Sequence, residues 1–240
     1  MTETPVIGPE RPERRKSASS VDREFIAWNE RMVARHDIDA YYADSHPLVR
    51  WIERRRLRAL VSLASVGPGE HLLEVGCGAG HALERFTGVR RTGVDLSVHM
   101  LERARLRLGR DVPLVRATAD ILPFPDAAFE AVVCTELLEH VPDPAAVIRE
   151  LMRVAGPSGR VVVSVPNEGN IDRAKRAVSR TPGLRRVLTT LAEEDNEWHL
   201  HRMDRRMLEE ITEGTARIAR LKRIPALLLP LRYVALLRAL

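Results

Sequence analysis

Two cysteines, Cys77 and Cys134, are all that the 240 residues contain, and they lie far apart. A disulfide-stapled scaffold is excluded, a thiolate zinc site fits poorly, and the expected surroundings are a reducing cytoplasm. Long apolar runs are also lacking. The most apolar stretch, Ile224 to Leu240, is interrupted by Pro225, Pro230, Arg232 and Arg238, so it does not read as a membrane span. No apolar core of the signal-peptide type follows the first residues. Lysine occurs only at Lys16, Lys175 and Lys222, none of them near a glycine-rich loop, and no G-x-x-x-x-G-K-[ST] phosphate loop is present. Aromatic residues make up 4% of the chain, which argues against a platform for stacking single-stranded bases.

What the chain has in excess is arginine. Lys and Arg total 38 against 33 Asp and Glu, a net charge of +5. Spread through helical segments, most of these arginines read as solvated faces paired with carboxylates. Two local excesses, "RWIERRRLR" (50–58) and "DRAKRAVSRTPGLRR" (172–186), are candidates for contact with an anionic partner. The length suits one α/β domain with additions.

Residues 1–20 are rich in Pro, Ser and charge and read as a disordered tail. Cap helices are expected over 21–36 and 46–65, the second with Leu48, Ile52, Leu60 and Leu63 on one buried stripe. From 68 onward the period changes. "HLLEV" (71–75), "RTGVD" (91–95), "AVVCT" (131–135) and "RVVVSV" (160–165) are apolar on successive positions, as strands of a parallel sheet covered on both faces are. Helices are expected between them at about 79–87, 97–109 and 143–155. The last opens on Asp143 and Pro144 and stops at Gly156. This alternation predicts a Rossmann-like, doubly wound α/β sheet. Residues 168–203 are too long for a simple connection and read as an inserted helical lid. Asp204 then resembles an N-cap, and 216–224 with 232–240 form a final, antiparallel strand pair.

The sheet makes one loop conspicuous. "LLEVGCGAGHAL" (72–83) places Gly76, Gly78 and Gly80 directly after the first strand. Glycines there allow positive φ and remove Cβ atoms from the path of a ligand, and a following helix would aim free N–H groups at an anionic group. Asp95 ends the second strand at the distance where a carboxylate accepts from ribose hydroxyls, so an adenosine-like nucleoside is expected. The glycine spacing differs from the dinucleotide G-x-G-x-x-G pattern, because position 81 is His. Two other readings stay open: an NAD(P)-dependent oxidoreductase, and a non-catalytic nucleic-acid-binding protein of the same fold.

"EVGCGAG", "GVDLS", "ATADILPFPDAAFEAVVCTELLEHV" and "GPSGRVVVSVPNE" resemble, in order and spacing, the successive motifs of class I S-adenosylmethionine-dependent methyltransferases. The likeness is to the small-molecule branch that includes the ubiquinone and menaquinone methyltransferases. It covers roughly 68–167 and extends to the closing strand pair. The resemblance implies S-adenosyl-L-methionine as cofactor, wrapped by Glu74, Gly76, Cys77, Gly78 and Gly80. It further implies Asp95 on the ribose, Leu96 against adenine, Asp120 on the adenine amino group with Ile121 beside it, and Thr135 near the sulfonium.

His140, in "LLEHV", is the candidate base, with an ordering role for the loop as its alternative. Tyr42, Asn167, Trp198, His199 and His201 are candidates to line the acceptor pocket. His199 and His201 alternate as metal ligands can, but no third ligand is evident, so no metal is expected. The chain has Cys134-Thr135-Glu136-Leu137 where base-methylating relatives carry an Asn/Asp-Pro-Pro-aromatic motif. The expected acceptor is therefore a small or lipid-like molecule, methylated on oxygen or carbon rather than nitrogen. The basic lid and "IPALLLPL" (224–231) leave peripheral membrane contact open.

Overall fold

In the computed structural model, which describes residues 23–35, 38–179, 198–225 and 229–240, the described strands form one sheet. These are β1 (His71–Val75), β2 (Arg90–Asp95), β3 (Leu114–Arg116), β4 (Ala131–Thr135), β5 (Arg160–Pro166), β6 (Ala216–Ile224) and β7 (Arg232–Ala239). Their order is β3-β2-β1-β4-β5-β7-β6. The first five run parallel, β7 lies antiparallel to β5, and β6 pairs antiparallel with β7. The doubly wound sheet and its closing antiparallel pair are as expected. β3 escaped notice because three half-exposed residues carry too little periodicity to register.

The helices are α1 (Arg23–Arg35), α2 (Ile38–Asp44), α3 (Pro47–Ala64), α4 (Val98–Leu108), α5 (Pro144–Ala155), α6 (Glu168–Ser179) and α7 (Arg205–Thr212). Asp143 and Asp204 cap as their sequence context predicts, accepting from the N–H of Ala146 at 2.9 Å and of Met207 at 2.8 Å. α6 forms the first part of the expected lid. Residues 180–197, with the end of the basic segment, lie outside the described residues, as do the tail and part of "IPALLLPL".

Two expectations fail. Leu48 is not on the buried stripe of α3; it is 49% exposed, while Ile52, Leu60 and Leu63 are buried. The helix over 79–87 does not form either, and only a 3-10 turn, Leu83–Arg85, is present. Gly80 and Gly88 both take positive φ, 83° and 74°, which leaves too short a stretch between two reversals for a helix to propagate.

Strand period decides which side chain faces which layer. Leu73 and Val75 of β1 join Val132, Cys134, Val161, Val163, Ala235 and Leu237 in a core covered by α5 and α7. Leu72, Val133, Val162, Val234 and Leu236 face α3 instead. Near the carboxyl ends of the strands, this second layer turns ionic. Arg56 of α3, buried with Glu53, donates to Glu53 Oε2 at 2.7 Å, Ser164 Oγ at 3.0 Å and the Tyr42 hydroxyl at 2.9 Å. Arg232 of β7, also buried, pairs with Glu136 at 2.9 Å. α3, β5 and β7 are thus tied through charges that have few other partners.

Removing one member of such a network strands the others in a medium that solvates them poorly. Arg56→Ala is expected to cost about 3–5 kcal/mol of stability, read as a shift in the urea unfolding midpoint. A loss within about 0.5 kcal/mol, the range of an ordinary surface substitution, would show that the network does not hold α3 to the sheet.

Candidate functional site

β1 lies between β2 and β4, so the chain leaves β1 toward one side of the sheet and β4 toward the other. At such a switch the following loops part and open a crevice beyond the carboxyl ends of the strands. The loop after β1 is held to one wall by its own backbone. Gly76 N–H and Cys77 N–H both donate to the Val94 carbonyl, at 2.8 and 2.9 Å, and Gly78 N–H donates to Asp95 Oδ2 at 2.8 Å.

The three glycines serve different ends. All have positive φ: 72° at Gly76, 49° at Gly78 and 83° at Gly80. A Cβ on Gly76 would meet Leu137 at 2.8 Å, and one on Gly80 would meet Leu108 at 2.9 Å. At those two positions positive φ and close packing already favour glycine. Only at Gly78 would a Cβ find nothing within 4 Å. Its bare backbone therefore borders open space. Cys77 and Cys134 are buried packing residues, and burial pushes both thiols up.

Asp95 is braced as well as bracing, since its Oδ1 accepts from Ser97 N–H at 2.9 Å. Burial raises its pKa against these backbone bonds. Leu96 is half-buried, and its carbonyl accepts from Arg116 at 3.0 Å. Asp120 and Ile121 follow β3 and are both exposed. Ile121 is 59% exposed, so plain core packing does not explain it.

Across the crevice, Thr135 ends β4 and donates to Glu74 Oε1 at 3.3 Å. Glu74 is 1% exposed, and its other oxygen has no hydrogen-bond partner. Burial drives its carboxyl up to about 8. A buried carboxylate oxygen without a partner, on the strand that runs into the glycine loop, fits a ligand that carries an ammonium group, as the methionine part of S-adenosyl-L-methionine does.

A cover lies over this loop, and the sequence did not reveal how it is fastened. Asp39 of α2 pairs with His81 at 2.6 Å and also with Arg103 and Arg107 of α4. Tyr42 stacks on the His81 ring at 4.1 Å. Its hydroxyl is committed to Arg56, and burial raises its pKa to about 12. Tyr42 therefore fastens the cover instead of presenting a free hydroxyl to an acceptor. Glu30 of α1 accepts from Ser97 Oγ at 2.7 Å and from Val98 N–H at 3.1 Å.

The loop after β4 meets residues 198–201. His140 Nδ1 lies 3.1 Å from the Trp198 carbonyl, and its ring packs on Trp198 and, edge-on, against His199. His199 Nδ1 is 2.7 Å from the Glu168 carboxylate. Glu139, His140 and His199 bring donor atoms within 4.8 Å of one another, a set able to hold a cation or to move a proton. Burial holds the Glu139 carboxyl well above its ordinary value.

The pairing of His199 with His201 is not observed. His201 is buried, with Nε2 against the carbonyls of Val141 at 2.9 Å and Pro142 at 3.2 Å, so it secures the loop and does not face an acceptor. Asn167 likewise caps α6, accepting from Asn170 N–H at 3.4 Å and donating to the Tyr233 hydroxyl at 3.0 Å. Glu168 and Asp39 went unnoticed because single carboxylates among 33 carry no local signature. Glu136 could have been found only from its conformation: φ is 50° at the tip of β4, a strained geometry concentrated at functional sites.

Two measurements follow. Gly78→Val is expected to abolish S-adenosylhomocysteine binding in calorimetry while the protein stays folded. Glu74 gives a pH signature. Its folded pKa of about 8 lies above the ordinary 4.5, so its contribution to stability is complete below about 4.5 and is lost as pH rises through about 8. The melting temperature of the ligand-free protein should fall across that window. Glu74→Gln should flatten the fall, and an unchanged slope in that variant would refute the assignment.

Residues 73–163 match the family model described as a methyltransferase domain. Among curated proteins, the ubiquinone biosynthesis O-methyltransferase of Pseudomonas entomophila is 40% identical over 132 residues, 52% of this chain and 53% of that protein. The protein of the same name from Pseudomonas putida is 37% identical over 161 residues, 62% of this chain and 65% of that one. The chain thus spans between half and two thirds of the length of these relatives. Among solved structures, the N-methyltransferase NodS of Bradyrhizobium japonicum, in complex with S-adenosyl-L-homocysteine, superposes with a TM-score of 0.58 at 18% identity, covering 88% of this chain and 97% of that one. A SAM-dependent methyltransferase from Aquifex aeolicus gives 0.57 at 16% identity, covering 85% and 100%. These two establish the fold alone. Residues 73–163 thus match the methyltransferase-domain family, the chain has the fold of these S-adenosylmethionine-dependent methyltransferases, and over part of its length it resembles the ubiquinone biosynthesis O-methyltransferases.

Proposed function

We propose that this protein transfers a methyl group from S-adenosyl-L-methionine to a hydroxyl of a small or lipid-like acceptor, a phenolic quinone precursor being the class its relatives' names suggest. One observation carries the reading: buried Glu74 keeps one carboxylate oxygen without a hydrogen-bond partner, and the loop after its strand bares its backbone at Gly78 and donates to Asp95 of the neighbouring strand. In this reading Glu74 meets the ammonium of the cofactor, Asp95 the ribose hydroxyls, and Leu96, Asp120 and Ile121 the adenine. The cofactor, when bound, supplies a methyl group already activated by its positive sulfur. The chain supplies alignment, exclusion of water and a place for the acceptor's proton.

His140 is the group we assign to that proton. A carbonyl oxygen only accepts, so the contact with Trp198 O leaves the hydrogen on Nδ1 and the lone pair on Nε2. His199, oriented in the same way by Glu168, stands beside it and with Trp198 lines the acceptor side. No described helix is long and apolar enough to cross a membrane. With both thiols free and buried, we place the protein in the cytoplasm.

S-Adenosylhomocysteine should raise the melting temperature, and NADP should not. Asp95→Ala should weaken S-adenosylhomocysteine about tenfold or more in calorimetry, the loss expected for hydrogen bonds to a charged group. His140→Ala should lower kcat for an isotopically labelled methyl transfer by about 10²–10⁴ while cofactor affinity is kept. Stabilisation by NADP alone would overturn the methyltransferase reading; full activity in the His140 variant would overturn the base.

A further inference from the structure

The amino ends of the parallel strands lie at the sheet edge opposite the crevice, and a cavity of about 480 Å³ opens there between α3, β6 and β7. Its walls carry Arg160, Arg217, Arg220 and Arg238, with the hydroxyls of Ser62 and Ser65 at the end of α3. Lys222 stands close by, donating to Ser62 Oγ at 3.0 Å.

The backbone goes out of its way to assemble this cluster. In the β6–β7 ladder Arg217 is directly opposite Arg238, and Arg220 is directly opposite Leu236, because the register shifts by one residue between Ile218 and Arg220. Two positions apart on β7, residues 236 and 238 share a face. The extra residue in β6 therefore brings Arg220 onto the face that Arg217 already occupies. Without the bulge, Arg220 would face the other side of the sheet. Like charges placed directly opposite one another across a ladder are unfavourable, so Arg217 beside Arg238 needs a counter-charge.

The protein supplies little. Arg160 is neutralised by Glu70 at 2.5 Å, and Arg238 spends its guanidinium on the carbonyls of Ser158 and Gly159. Arg217 and Arg220 are exposed and have no ion-pair partner among the described residues. Edge strands often carry charges and bulges that prevent pairing with another chain; here the bulge also gathers the charges onto one face over a cavity.

We propose that this groove is a second, anion-binding site that takes phosphate groups, with Arg217 and Arg220 as the free guanidinium forks. The phosphates come either from a soluble phosphorylated molecule or from the headgroup of an anionic lipid. The site is separate from the crevice and does not depend on the methyl transfer proposed above.

The test uses the full chain and the double variant Arg217→Gln/Arg220→Gln, whose side chains make no bonds that folding needs. Titration with inorganic pyrophosphate should give saturable heat in the parent and at least about tenfold weaker binding in the variant. S-Adenosylhomocysteine binding should be equal in the two, which separates this result from any failure at the crevice. Co-sedimentation with phosphatidylglycerol vesicles, against phosphatidylcholine vesicles, distinguishes the sources. Loss of phosphatidylglycerol binding in the variant without pyrophosphate binding in the parent assigns the lipid headgroup. Neither ligand bound by the parent, or both bound equally by the variant, overturns the proposal. So does a variant that only aggregates more while its phosphate binding is unchanged, since that is what edge protection alone predicts.

Discussion

Three short backbone donations fasten the chain leaving β1 to β2: Gly76 and Cys77 to the Val94 carbonyl, and Gly78 to the Asp95 carboxylate. Much of the crevice follows from them. They turn the loop flat along one wall, which requires positive φ at successive glycines and ends any attempt to start a helix. They hold one Asp95 carboxylate oxygen against the loop at Gly78. They also bring Ala79 under Val33 and Met100, and His81 against Asp39, so that the amino-terminal helices can be tied down over the loop. A loop held less firmly would leave neither a defined opening at Gly78 nor a surface on which the cover could sit.

Beneath the opening lies a layer of buried charge whose position is a consequence of strand period. Glu74 is one residue from the apolar Leu73 and Val75 and so points to the face on which Arg56 approaches. Ser164 and Arg232 reach the same face by the same alternation, and Glu136 joins them from the tip of β4. In this layer Arg56 is shared by Glu53, Ser164 and Tyr42, and Arg232 is spent on Glu136. That leaves one Glu74 oxygen without a donor, and burial then favours its protonated form. A cationic group arriving at that oxygen would supply the missing partner.

How far the site could be read in advance depended on how local each feature is. The strand-to-glycine junction at 72–80, the carboxylate of Asp95 and the Asp143–Pro144 helix start are written in a few adjacent residues, and each is found where the pattern puts it. The role of each glycine was not legible: Gly76 and Gly80 answer to Leu137 and Leu108, 61 and 28 positions further along the chain (137 − 76; 108 − 80). His199 and His201 look equivalent in sequence, yet one meets a carboxylate and the other the main-chain carbonyls of Val141 and Pro142. Leu48 has the right spacing for the core but sits in the first turn of α3 and remains exposed.

By itself the order of apolar and glycine-bearing segments determined the parallel sheet, its antiparallel close and the end of the sheet that carries the glycine loop. These follow from backbone geometry and from burial averaged over a few neighbouring residues. Only the tertiary structure decided which buried charge lacks a partner, how α1 and α2 are fastened, which histidines converge and where unpaired arginines gather. Each of those depends on groups tens of residues apart meeting in a low-dielectric interior or across one register shift, where a displacement of a single residue changes the partner.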